Sequence, residues 1–200
     1  VVTTTSDLAD GNTADIWSLL ADRGADGKIS LREAILATNA TVNAGGADSI
    51  HFAIDAALVA GAHTIAPLAA LPAISDVLVI DAGTEPDALA LAHPVIEIDG
   101  TSAGVAAVGL TLAPGSGGSH VSGLVVNRFY DGIWVQAGRD GNTLSGNFVG
   151  TDVTGTIDRG NAHIGLWVQG SANTVGGTAA GQRNLISGNV GFGVKLAGAS

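Results

Sequence analysis

Val121-Ser122-Gly123-Leu124 returns as Leu144-Ser145-Gly146-Asn147 and again as Ile186-Ser187-Gly188-Asn189. The first interval is 144 − 121 = 23 residues; the second, 186 − 144 = 42, is two steps of 21. Out of phase with it run Gly132-Ile133-Trp134-Val135-Gln136, Gly165-Leu166-Trp167-Val168-Gln169 and Gly193-Val194-Lys195-Leu196. A third phrase pairs Gly141-Asn142-Thr143-Leu144 with Ala172-Asn173-Thr174-Val175. A fixed period of this size marks stacked repeat units. Each apolar run is only three to five residues, rich in β-branched side chains and bounded by Gly, Asn, Ser or Asp. Such runs are strands ended by turns and are too short for helices. Three short strands and three turns fill a coil of about 22 residues, at roughly 3.3 Å per strand residue. The prediction is an all-β chain, a parallel β-helix in which each strand pairs with those above and below.

Composition narrows the function classes. Two hundred residues suit one domain with a real core, and thirty glycines with one Tyr fit a turn-dense chain. The net charge of −10 argues against nucleic acid or an anionic membrane as partner. No Cys is present, so stacking or a metal must supply what disulfides do elsewhere. No apolar run approaches the roughly 20 residues that insertion across a bilayer requires. Val1–Thr5 reads as a strand and not as a signal peptide, so any targeting segment is removed or lies outside the chain.

Two regions follow. Residues 1–49 form an N-terminal strand, turn and capping-helix region. Thr13 is available to cap a short helix through Leu20, and Leu31–Ala40 is an amphipathic helix opened by the capping box Ser30-Leu31-Arg32-Glu33. Such a helix has the task of covering the open backbone groups of the first coil. Residues 50–200 hold the coils, with early strands at Ile50–Ile54, His63–Ala66, Val77–Ile80 and Val95–Ile98. The polar stretch Gly150–Gly160 reads as an excursion on a binding face. After the strand Gly191–Leu196 only Ala197-Gly198-Ala199-Ser200 remain, with no polar cap. The expectation is that coils continue beyond residue 200, or that the open rung associates end to end with another copy.

Asp26-Gly27-Lys28-Ile29-Ser30-Leu31-Arg32-Glu33-Ala34-Ile35-Leu36 resembles the CSLREA-type segment that opens bacterial secreted and surface right-handed parallel β-helix repeat proteins, with Ile29 where that family carries cysteine. Leu71-Pro72-Ala73-Ile74, Val95–Gly100, Gly123–Phe129, Gly146–Asp152 and Arg183–Asn189 follow in the order typical of the group. The resemblance implies a right-handed β-helix with an N-terminal helical cap, placed outside the cell or on the bacterial surface. It implies no reaction, because a fold does not give a function.

Several sets of residues have the chemistry for a site. Asp22, Asp26, the Lys28 carbonyl, Ser30 and Glu33 fall at positions 1, 5, 7, 9 and 12 of an EF-hand-type loop, with Gly27 at the bend. They would hold one structural calcium; alternatively Glu33 serves the capping box. Gly24 occupies the third position, where an oxygen ligand is usual. Trp134 and Trp167 occupy matching places, and outward-facing they make a carbohydrate-stacking platform, inward-facing a packing element. Arg128, Tyr130 and Asp131 are the one cluster suited to acid–base work on a sugar, with a coil-edge salt bridge as the alternative. Asn127, Asn147 and Asn189 read as a ladder of stacked amides ahead of a sugar-binding row. Asp152 and Asp158 flank the polar excursion and suit a cation or sugar hydroxyl, or solvent.

With two lysines, His120 and His163 isolated in sequence, and no nucleophile elbow or phosphate loop, the reading leans to a non-catalytic extracellular module. Its tasks would be adhesion, carbohydrate binding or spacing, with a polysaccharide or cell-surface glycan as partner. The alternative is a polysaccharide lyase, hydrolase or uronate epimerase with its groove along a sheet face.

Overall fold

The computed structural model describes residues 1–197. Val2 makes a single parallel bridge to Phe52, the whole of the expected N-terminal strand. Helix α1 (Ile16–Ala21) starts later than expected because Asp15, and not Thr13, accepts the Ser18 N–H at its N-cap. Helix α2 (Leu31–Ala40) has the predicted limits, and its capping box is complete. It buries Leu31, Ala34, Ile35 and Ala37 against α1 and the edge strand β1 (Asp48–His51). Truncating a fully buried Leu or Ile here would cost about 2–5 kcal/mol.

Every strand pairing between the sheet strands is parallel. The first sheet is β1, β3 (Leu78–Asp81), β6 (His120–Ser122), β9 (Thr143–Ser145) and β12 (Thr174–Val175). The second runs from β2 (His63–Ile65) through β4 (Ile96–Asp99), β7 (Leu124–Asn127) and β10 (Phe148–Val149) to β13 (Leu185–Ile186). The third is β5 (Val108–Leu112), β8 (Asp131–Val135), β11 (Leu166–Val168) and β14 (Val194–Leu196). From β4 onward the chain visits the second, third and first sheets in strict rotation. Register places like on like: Ile50, Ile80, Val121 and Leu144 form one buried column, and Ile65, Ile98, Val126 and Val149 another. Leu110, Ile133 and Leu166 form a third, and all three columns meet in one core.

The expected all-β, right-handed parallel β-helix with uniform coils of about 22 residues is corrected by this architecture. The chain is 14% helical and 27% strand, an α/β arrangement of three parallel sheets with helices between short strands. Register intervals are far from constant: His120 faces Thr143 (143 − 120 = 23), but Asp48 faces Leu78 (78 − 48 = 30) and Val79 faces His120 (120 − 79 = 41). The cause is inserted structure. A 3₁₀ turn at Ala82–Thr84 and helix α3 (Pro86–Leu91) lie between β3 and β4, and a loop at 150–160 follows β10. The repeated phrase also misled in its third copy. Ser122-Gly123 and Ser145-Gly146 turn from the first sheet to the second, whereas Ser187-Gly188 follows β13 of the second sheet. Edge strand β14 pairs with β11, while Gly198–Ser200, on which the expected end-to-end association also drew, lie outside the described residues. No helix among the described residues is long and apolar enough to cross a membrane.

Candidate functional site

The twice-used Ser-Gly corner builds the floor of a broad cleft. Strand alternation sends Ile80, Val121 and Leu144 into the core, so Asp81, Ser122 and Ser145, which share a register row, point outward. Gly146 then turns with φ +67°, and a Cβ there would stand 2.5 Å from the Gly181 carbonyl oxygen. His120, two residues before Ser122, shares the outer face, and its Nε2 lies 3.0 Å from Ser145 Oγ. Ser122 Oγ donates to Asp81 Oδ1 at 3.3 Å, and Asp81 Oδ1 also accepts the Gly83 N–H at 3.0 Å. Around this polar floor stand Ala88, Leu89 and Ala92 of α3 and its C-cap on one side, and Phe148 with the segment 177–185 on the other. The cleft encloses roughly 1220 Å³. Among the described residues no carboxylate pairs with His120, so the His–Ser pair lacks the orienting acid of a nucleophilic triad.

A second cluster sits where the second sheet turns into the third. Asp131, buried, accepts from His163 Nδ1 at 3.0 Å and from the Ile164 N–H at 2.9 Å. Tyr130 is 42% exposed, and its ring centroid lies 5.0 Å from that of His163. Arg128 is not part of this group, since it pairs with Asp99 on the neighbouring strand. Sequence reading missed His163, although Ile133 and Leu166 are register partners and His163 precedes Leu166 as Tyr130 precedes Ile133.

Trp134 and Trp167 face outward in register, while Ile133, Val135, Leu166 and Val168 form the buried set. The two indoles stack on each other, with centroids 5.0 Å apart and planes 11° apart. Lys195 Nζ lies 4.8 Å from the Trp167 ring centroid, and Trp134 Nε1 donates to Gln169. The ring faces thus serve a cross-strand ladder, which leaves mainly edges for a ligand.

The loop residues proposed for calcium are engaged locally. Glu33 Oε1 accepts the N–H groups of Asp10 and Gly11, and Oε2 accepts from the backbone and hydroxyl of Ser30. Asp22 and Asp26 are exposed and accept from Gly24 and Lys28 two residues on. The carboxylates of Asp22, Asp26 and Glu33 are not gathered around one centre. Ser30 and Glu33 thus make the capping box.

Asparagine pairs include the expected Asn147 and Asn189 but not Asn127, and their partners are other asparagines than those of the expected row. Asn142 bonds Asn173, Asn147 bonds Asn184 and Asn161 bonds Asn189, each joining successive circuits of the chain. Asn127 instead donates to Glu97 and to the Thr151 carbonyl. The 150–160 loop lies over the outer face of the second sheet, where Val153 packs with Ala62 and Val125 and Arg159 pairs with Glu97. Burial alone would raise the Asp152 carboxyl. The Ile157 and Thr156 N–H groups and the Thr154 hydroxyl outweigh it and hold the group below the usual carboxylate range. Asp152 therefore shapes the loop, and Asp158 caps it at the Gly160 N–H. No family model, curated protein or solved structure matches this chain.

Proposed function

We propose that the chain is a non-catalytic carbohydrate-binding module whose cleft over the first sheet receives a segment of a neutral glycan. The carrying observation is the cleft itself: roughly 1220 Å³, floored by Asp81, His120 and Ser122 and walled by Leu89 and Phe148. Pockets for single small ligands run to about 1,000 Å³, so this one suits several linked sugar rings. Short hydroxyl, imidazole and carboxylate groups match sugar hydroxyls, and the apolar walls match the C–H faces of the rings. The net charge of −10 disfavours polyuronates and other polyanions.

The test is a glycan array followed by calorimetry on the best neutral oligosaccharide. Ser122→Trp should fill the cleft and abolish binding. His120→Ala should weaken it about tenfold, the loss of one hydrogen bond worth ~1.4 kcal/mol. Binding untouched by both substitutions would remove the proposal.

A second reading, a polysaccharide lyase, hydrolase or epimerase, is favoured by Tyr130, His163 and Asp131. Asp131 engages His163 Nδ1, and Nε2 makes no hydrogen bond among the described residues beside the half-exposed Tyr130, an arrangement suited to general acid–base work. Unsaturated ends on a polyuronate would mark a lyase, new saturated reducing ends a hydrolase and a changed uronate composition an epimerase, and any of these lost in Tyr130→Phe and His163→Ala would establish it in place of the first.

A further inference from the structure

Behind the α3 wall of the cleft, three side chains converge that no role above uses. His63 opens β2 on the inward-facing side, and its ring is almost fully buried. Glu85 and Asp87 flank Pro86 at the start of α3. His63 Nε2 lies 3.1 Å from Asp87 Oδ2 and 3.7 Å from Glu85 Oε1. One ligand atom from each of the three lies within 4.8 Å of the others. Glu85 Oε2 is fixed by the Ile54 N–H at 3.0 Å, which leaves Oε1 aimed at the imidazole.

Burial and the direction of the ring set what this group can hold. Glu85 is a carboxylate at 2% exposure, and among the described residues no Lys or Arg pairs with it or with Asp87. A buried charge is costly unless a counter-charge meets it. In addition, His63 Nδ1 is buried without a hydrogen-bond partner, so the ring's polar engagement is wholly through Nε2 toward the two carboxylates.

We propose that His63 Nε2, Glu85 Oε1 and Asp87 Oδ2 form a zinc(II) site with three protein ligands and a fourth position open to solvent on the Asp87 side. Zinc takes imidazole nitrogen and carboxylate oxygen at about 2.0–2.2 Å in tetrahedral array, which puts ligand atoms roughly 3.4 Å apart. The two distances from His63, 3.1 and 3.7 Å, bracket that separation, and the two carboxylate oxygens lie within 4.8 Å of each other. A mixed set with one nitrogen selects zinc over calcium, which wants six to eight oxygens. The ion would neutralise both carboxylates and tie α3 to the edge strand β2. Because Nδ1 has no acceptor, affinity should be about 10–100-fold weaker than at a zinc site with an outer-shell carboxylate.

The experiment is Zn²⁺ titration of metal-stripped protein by calorimetry, with melting curves and a Co²⁺ spectrum in parallel. Expected are one equivalent per chain, a melting temperature that climbs with zinc, and the intense visible absorption of four-coordinate cobalt. Asp87→Asn and His63→Gln should each weaken binding by at least about tenfold. If His63→Gln fails to fold, Asp87→Asn decides, because the Asp87 side chain is 44% exposed. Absence of stoichiometric binding, or calcium bound as tightly as zinc, would overturn the site. So would zinc binding undiminished in the folded variants, which would place the metal on other histidines.

Discussion

Asn147 holds two levels of the chain at once. Its Oδ1 accepts the Leu124 N–H at 3.0 Å, its backbone N–H donates to Asn184 Oδ1 at 2.9 Å, and Nδ2 donates to the Val121 carbonyl at 2.9 Å. Asn147→Ala strands the buried Leu124 N–H, removes a second donor from the Val121 carbonyl, and should lower unfolding free energy by about 1–3 kcal/mol, read by urea denaturation. A loss under about 1 kcal/mol would mean the ladder is ornamental. The corner role of Ser-Gly-Asn was legible in the sequence, because short polar and glycine residues have few other uses between apolar runs. Ladder membership was not. Amide partners depend on register, and inserted residues change register without altering the phrase, as Asn184 rather than Asn189 opposite Asn147 shows.

Elements differ in how openly they announce themselves. Helix α2 carries a capping box and an apolar stripe over ten residues, so its limits follow from the sequence. Helix α3 has six residues and no side-chain cap bond, and its signals are Pro86 at its start and the left-handed Ala92 at its end. So short a segment shows no periodicity, yet it supplies one wall of the cleft and, with its N-cap Glu85, two of the three converging acidic and imidazole groups. The 150–160 loop makes a pH-dependent prediction. The depressed Asp152 carboxyl adds stability that is complete above the ordinary carboxylate pKa, about 3.9, and is lost as pH falls through the lower folded value. Asp99 acts in the same direction: burial pushes it up, but Thr101 and Arg128 outweigh that. Asp48, raised by burial and by Asp76, acts in the opposite sense. Asp152→Asn should therefore melt lower than wild type at pH 7, and the gap should close below about pH 4. A gap that widens in acid would contradict the assigned sign.

Across the molecule, the stacked columns of Ile, Val and Leu place one polar row on the outside of the first sheet, and the cleft is the consequence. Apolar alternation made the strands readable, but not the uneven intervals between them, which come from what is inserted at each corner. The most direct test of the binding role is hydrogen–deuterium exchange with and without the best neutral glycan, with the glycan's mass followed in the same tube. Slower exchange should be confined to β6, β9, α3 and the 177–185 segment, and the glycan should remain uncut. Protection centred on Tyr130 and His163, or cleavage of the glycan, would contradict the account.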